Sequence, residues 1–267
     1  MKSDPSIRVV PLGTGGFIPT KQRETSAVLV RRGKTALLFD AGTGIGRLLE
    51  SDYRKEFDGL KRLNLFISHY HLDHVIGLTW MVKVWNAELR LYVPSQPLVD
   101  TTSHEALKRL TNLPLFALPL EQFPFPTTVF PFADESSFAV DDFTIHVIQQ
   151  DHPGGSVGFR VDDQFAYVTD TDPDENHVAF LKDVPLALID AMFDSDDHKA
   201  AAISKGKADH GSNLGVAAIA QRAGVGRLGL IHINPSYSKE HCEDLVAESR
   251  AIFPTTFIPE DGVPIMI

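Results

Sequence analysis

The chain has 267 residues, 43% hydrophobic and 22% charged, a balance that suits a soluble globular protein with a substantial core. No apolar run reaches the roughly 18–20 residues of a membrane helix, and the polar stretch Met1 to Ser6 lacks the apolar core of a secretory signal, so a cytoplasmic protein away from membranes is expected. The net charge of −10 disfavours non-specific binding to nucleic acid, where phosphate must be neutralised by Lys and Arg, and the single cysteine, Cys242, excludes an internal disulfide.

Ile7 to Leu12 reads as a strand ending in Gly13-Thr-Gly-Gly16. Ser26 to Val30 and Thr35 to Phe39 follow as strands around the hairpin signal Arg31-Arg-Gly33. Asp40-Ala-Gly-Thr-Gly44 leads to a short helix near Ile45 to Glu50, and Leu63 to Ser68 is a continuous apolar strand. Helices are expected over Val75 to Val84 and Gln96 to Leu110, with a strand at Leu89 to Val93 between them. Leu113 to Phe132 carries five prolines and five phenylalanines and fits neither period; it reads as an irregular lid, partner surface or loop packed on the core. Strands return at Phe143 to Ile148, Ser156 to Val161, Phe165 to Thr169 and Leu186 to Asp190. The chain then reads as a helix (Asn213 to Ala223), a strand (Arg227 to Ile231), a helix (Lys239 to Phe253) and short strands at Thr255 to Pro259 and Pro264 to Ile267. This order suits one α/β domain over residues 1–267, with two packed sheets and outer helices.

Eleven histidines are present, and several fall in a few short segments. In His69-Tyr-His71-Leu-Asp73-His74 four ligand-type side chains lie within six residues, after a buried-type strand and before a helix. Imidazole nitrogen with carboxylate oxygen suits zinc, manganese or iron. His69 and His71 would turn one way and Asp73 and His74 another, which suits two metals better than one. Further ligand types follow apolar strands: His152 after Ile148, Asp170 after Thr169, and His232 after Ile231. Gly13-Thr-Gly15-Gly16 does not mark a dinucleotide-binding turn, because the next element is a strand and the third glycine is misplaced; these glycines read as tight turns under the metal site.

The pattern His-x-His-x-Asp-His after a strand, with distal His, Asp and His, resembles the metallo-β-lactamase superfamily. The resemblance spans nearly the whole chain. Leu12-Gly-Thr-Gly-Gly-Phe-Ile-Pro-Thr20 with Arg23, Phe39-Asp-Ala-Gly42, Tyr167-Val-Thr-Asp-Thr171, Asp209-His-Gly-Ser212, Ile231-His-Ile-Asn-Pro-Ser-Tyr237 and Glu260-Asp-Gly262 resemble motifs of its ribonuclease Z and phosphodiesterase branch. The resemblance implies a four-layer αββα sandwich, two mixed β-sheets flanked by helices. It implies two divalent metals, Zn²⁺ foremost with Mn²⁺ or Fe²⁺ as alternatives. His69, His71 and His152 would hold one, Asp73, His74 and His232 the other, and Asp170 would bridge them. Asp40 would hydrogen-bond a ligand histidine. Two such metals can share a hydroxide and clamp a phosphoryl group. By the same resemblance, His210 would donate a proton to the leaving oxygen, help worth about 10²–10⁴-fold. His210 and Asp73 are thus the expected catalytic pair, while His104, His146, His177, His198 and His241 have no such context. All of these except His146 read as solvated.

Three departures separate the chain from ribonuclease Z. His152 and Asp170 are only 18 residues apart, leaving no room for that family's tRNA-gripping arm; Glu24 stands where the family has Asn; and Asn234-Pro-Ser236 lacks an arginine. With the acidic charge, these favour a phosphodiesterase for a small phosphodiester: a cyclic nucleotide, a cyclic sugar phosphate or a short oligonucleotide. Stable tRNA binding is not expected, and a homodimer is compatible with the branch. The alternatives are a carboxyl-ester or lactone hydrolase, a ribonuclease Z-like tRNA endonuclease, and a metal-binding protein without catalysis.

Overall fold

The computed structural model of the protein describes residues 6–267; of the N-terminal stretch Met1 to Ser6, all but Ser6 lies outside the described residues. The chain folds as two compact units. One holds the described residues up to Thr14, then Ile18–Asp134 and Asp261–Ile267; the other holds Gly15–Phe17 and Glu135–Glu260.

The first unit is built on a seven-stranded sheet. Its strands are β1 (Arg8–Gly13), β2 (Ala27–Arg32), β3 (Thr35–Phe39), β4 (Arg62–Phe66), β5 (Glu88–Pro94), β6 (Thr127–Phe132) and β14 (Ile265–Met266), in the order β14-β1-β2-β3-β4-β5-β6. The β14–β1, β1–β2 and β2–β3 pairs are antiparallel, and those from β3 to β6 are parallel. In the parallel part, Phe39, Phe66, Tyr92 and Phe130 are register partners. Their rings stack across the strands with centroids 5.2, 4.6 and 4.9 Å apart. Such cross-strand aromatic pairs fix register, here directly before Asp40 and the histidine loop. One core gathers Leu12, Leu29, Leu38 and Leu65 with Ile45, Leu78 and Met81.

Helical structure in this unit is short: α1 (Ser51–Arg54), α2 (Leu72–Val75), α3 (Met81–Val84) and α4 (Ser103–Thr111). The single helix expected over Val75 to Val84 is broken into α2, a 3₁₀ stretch Ile76–Trp80 and α3, and the helix expected near Ile45 to Glu50 is 3₁₀ over Thr43–Leu49. Gly77 explains the first break. A Cβ there would lie 2.3 Å from the Gly42 carbonyl oxygen, and its N–H donates to the Ala41 carbonyl at 2.7 Å, so the segment is held to the Asp40 turn instead of winding freely. The helix expected from Gln96 starts only at Ser103, where the Thr102 side chain caps it by accepting from the Glu105 N–H. Leu113 to Phe132 is not wholly irregular. Leu120, Phe123 and Phe125 enter the core, Leu113 and Leu115 are exposed, and the segment ends in β6. β6 lies at the end of the sheet. The N–H groups of Leu89 and Ser95 donate to the carbonyls of Pro126 and Phe132, so even-numbered β6 residues face β5 and Pro131 belongs to the outward set.

The second unit carries another seven-stranded sheet: β7 (Ser137–Val140), β8 (Phe143–Gln150), β9 (Ser156–Val161), β10 (Phe165–Val168), β11 (Leu186–Asp190), β12 (Arg227–Ile231) and β13 (Thr256–Phe257), in the order β13-β12-β11-β10-β9-β8-β7. Pairs from β7 to β10 are antiparallel and those from β10 to β13 parallel. Its helices are α5 (Glu175–Phe180), α6 (Ser195–Lys205), α7 (Asn213–Ala223) and α8 (Lys239–Ile252). Helix α7 starts where the Ser212 side chain accepts from the Gly215 N–H and stops at left-handed Gly224. It buries Val216, Ala217 and Ala220 in a core with Val168, Ile189 and Leu230. β7, α5 and α6 were not anticipated from the sequence; α5 and α6 rely on caps from Asp174 and Asp194 more than on an apolar stripe. His177, read as solvated, is buried at 3% exposure, and its ring nitrogen lies 2.8 Å from Asp174 within the α5 capping box.

Candidate functional site

In the first unit the parallel strands β3 and β4 end side by side, and both feed the histidine loop. Asp40 follows β3 in the left-handed region, φ 59°, fully buried. Its Oδ1 accepts from the Ser68 N–H at 2.7 Å; its Oδ2 accepts from the Ser68 hydroxyl at 2.8 Å and lies 2.7 Å from His74 Nδ1. A carboxylate so placed fixes the imidazole tautomer, with the proton on Nδ1 and the Nε2 lone pair presented outward. Asp40 thus meets His74, one of the histidines expected as ligands. His69 Nδ1 lies 3.1 Å from the Ser68 hydroxyl, and the His69 ring sits 4.6 Å from that of His71 and 4.4 Å from that of His74. His74 Nε2 and Asp73 Oδ2 are 3.4 Å apart. The loop is clamped from beneath: Thr25 Oγ1 donates to the Asp73 carbonyl at 2.8 Å, and a Cβ on Gly42 would lie 2.2 Å from that same oxygen.

In the second unit three adjacent parallel strands, β10, β11 and β12, end together, so Asp170, Asp190 and His232 leave the sheet roughly one strand spacing apart, about 4.8 Å. Ligands in parallel sheets collect at such carboxyl ends. Asp170 and His232, like Asp40, are left-handed, at φ 53° and 57°. This conformation is uncommon for residues with a Cβ and is held here by the surrounding structure. Asp170 Oδ1 lies 3.5 Å from His152 Nε2, and its Oδ2 lies 3.5 Å from His232 Nε2. One carboxylate thus faces one histidine with each oxygen. His152 Nδ1 lies 3.2 Å from the Asp209 carbonyl, which leaves Nε2 as its ligand atom. Two atoms bound tetrahedrally at about 2.1 Å to one ion lie about 3.4 Å apart. The separations for Asp73 with His74, and for Asp170 with His152 and with His232, suit a shared ion, so the donor set fits divalent metals.

Asp190 is the site residue that sequence reading missed. It appeared only as the last residue of an apolar strand, yet it is fully buried and acts as a hub. Its Oδ2 accepts from the Asp170 N–H at 2.9 Å and lies 2.7 Å from His210 Nδ1, and its Oδ1 accepts from the Met192 N–H at 2.9 Å. The available signal was its position, a carboxylate closing a buried strand like Asp40 and Asp170. Asp170, Asp190, His210 and His232 each offer an atom within 4.8 Å of the others. Burial alone would lower the His210 pKa; the charge and hydrogen bond of Asp190, aided by Asp170 and Asp209, outweigh it and push the imidazole up to about 9. Gly211 permits this contact, because a Cβ there would lie 2.6 Å from the Asp190 carbonyl oxygen. His104 is exposed, His146 pairs with Ser137, His198 with Asp172 and His241 with Asp194, and none of the four joins a potential metal-holding group among the described residues.

Residues 35–233 match the family model of the β-lactamase superfamily domain. The chain belongs to the β-lactamase superfamily. Ribonuclease Z of Halorubrum lacusprofundi is 28% identical, with 96% of each chain covered. That alignment runs over 309 positions, more than this chain has, so the relative carries segments without a counterpart here. The metallo-β-lactamase fold protein YhfI of Bacillus subtilis is 23% identical, with a TM-score of 0.77 over 99% of this chain and all of that one. A diphosphatase of the PhnP family is 15% identical, with a TM-score of 0.69 and 97% of each chain covered. The expected metallo-β-lactamase-like α/β class and the ribonuclease Z and phosphodiesterase branch both stand, and the protein is a metal-dependent hydrolase of this superfamily. Among the described residues no helix is long and apolar enough to cross a membrane.

Proposed function

We propose that this superfamily member is a phosphodiesterase acting on a small phosphodiester, with two divalent ions held by its histidine and aspartate side chains. His69, His71 and His152 would hold one ion, and Asp73, His74 and His232 the other. Asp170 would serve both, and Zn²⁺ is the ion best suited to the nitrogen-rich set. When bound, the pair supplies Lewis acidity and an activated water near neutral pH. The chain's own residues do the rest. Asp40 keeps the His74 lone pair presented, and Asp190 holds His210 protonated with Nε2 directed away from the carboxylate. His210 then gives its proton to the leaving oxygen, which would otherwise depart as an alkoxide. The observation that carries this reading is Asp170, with one oxygen 3.5 Å from His152 and the other 3.5 Å from His232.

Support for a small substrate lies between His152 and Asp170. Those residues form the β9–β10 hairpin with a turn at Asp162 to Gln164, and no segment is left over to build an arm. The ribonuclease Z relatives keep an endonuclease reading in play. The test compares bis(p-nitrophenyl) phosphate, a lactone and β-lactam panel, and a tRNA precursor, alongside metal content by mass spectrometry. The expected outcome is two equivalents of metal and turnover of the phosphodiester only, with Asp170→Asn losing both metal and activity. Metal-loaded protein that cleaves lactones but no phosphodiester would overturn the proposal. Efficient cleavage of the tRNA precursor would move the substrate to the endonuclease class.

A further inference from the structure

The glycine run Gly13-Thr-Gly-Gly16 has no part in the chemistry above, and its geometry differs from the tight turns expected. Gly13, Gly15 and Gly16 are absent from the positive-φ glycines, and Gly13 and Gly16 serve close approach. Gly15 bridges in parallel to Ile233, the Gly16 N–H donates to the Ile233 carbonyl at 3.1 Å, and a Cβ on Gly16 would lie 2.6 Å from His232 Nδ1. The backbone therefore rests on the ring of a candidate metal ligand. The next residue, Phe17, is left-handed at φ 64° and 69% exposed. A bulky side chain in that region is a strained outlier, and an aromatic side chain this exposed forgoes part of its burial energy. Both costs fall on the residue next to the contact with His232, and strain of this kind collects at functional sites.

We propose that Phe17 is a specificity-determining residue: its exposed ring is a stacking platform for the nucleobase of a nucleotidyl phosphodiester whose phosphate sits at the metal ligands. The ring offers a planar π face and no hydrogen bond, so it suits a flat aromatic group of any base identity. Its Cα is one virtual bond, about 3.8 Å, from that of Gly16, so the residue lies within a nucleoside's reach of His232. This rests on the phosphodiesterase reading and narrows it, favouring nucleotides over cyclic sugar phosphates.

The test uses the metal-loaded full chain and two esters that share a leaving group, thymidine 5′-(p-nitrophenyl phosphate) and methyl p-nitrophenyl phosphate. Phe17→Ala should lower the ratio of kcat/KM for the nucleotidyl over the methyl ester by about 5- to 150-fold, the range of one base–aromatic stack. Phe17→Trp should restore the ratio, and Phe17→Leu, apolar but not planar, should not. An unchanged ratio in Phe17→Ala, or restoration by Phe17→Leu, overturns the proposal. Binding of AMP against ribose 5-phosphate, measured by calorimetry, decides it independently of turnover. Wild-type preference for AMP should fall to near parity in Phe17→Ala; equal affinity of wild-type for both ligands overturns it. If neither ester is cleaved, the phosphodiesterase reading fails, while the binding pair still decides whether Phe17 recognises a base.

Discussion

At the scale of single residues, the site is governed by which nitrogen of each histidine is held. His74 is held at Nδ1 by Asp40, and His210 at Nδ1 by Asp190. These contacts suit different tasks in the proposed reaction: His74 would present a lone pair, and His210 would carry a proton. His210→Asn should therefore keep both metals and lower kcat by about 10²–10⁴-fold on a substrate with a poor leaving group. The loss should be much smaller with p-nitrophenolate, which needs no proton; comparable losses on both would contradict the acid role. The metal-free chain offers a second check. His210 titrates at about 9 in the fold against its usual 6.5, so its contribution to stability is complete below 6.5 and disappears as pH climbs through 9. Melting temperature should fall between pH 7 and pH 10 in metal-free wild-type protein and fall less in His210→Asn. Parallel slopes would mean that Asp190 does not raise this imidazole. The candidate ligand residues were legible in the sequence because ligand-type side chains follow apolar strands, with several histidines in one short segment. Asp190 was not, because a lone Asp after Leu-Ile looks like any strand terminus until β10 and β12 bring Asp170 and His232 beside it.

At the scale of elements, the parallel strand ends do the positioning. Phe39, Phe66 and Tyr92 lock β3, β4 and β5 in register, and that register decides whether Asp40 meets Ser68 and His74. Phe66→Ala should cost about 3–5 kcal/mol, as large core truncations do, and should also weaken metal retention against a chelator. Loss of stability with unchanged metal retention would separate the ladder from the site. Gly42→Ala places a methyl 2.2 Å from the Asp73 carbonyl and should disturb the histidine loop in the same assay. Strands of continuous apolar residues were read nearly to their ends, and α7 and β12 to the residue. The helical stretch after the histidines was misjudged because its apolar period is intact while Gly77 ties its backbone to Ala41. α5 and α6 escaped because caps, which periodicity does not register, define them.

At the scale of the whole molecule, the candidate ligands come from segments far apart in sequence and are set by sheet formation, so metal should add stability to a chain already folded. An ion at 100 times its Kd contributes about 2.7 kcal/mol per site. Chelation should lower the melting temperature while leaving a cooperative transition; loss of the transition would show that the fold itself depends on metal. The end of the first sheet carries a different consequence. β6 exposes Val129 and Phe130 along an open edge, a combination that invites another chain to extend the sheet. Pro131 lies in the outward-facing set and has no N–H to offer, so the edge cannot template a complete ladder. Pro131→Thr should restore that donor and convert a well-behaved solution into one that self-associates with rising concentration, as read by light scattering. This proline would then be what keeps neighbouring molecules from aggregating through β6.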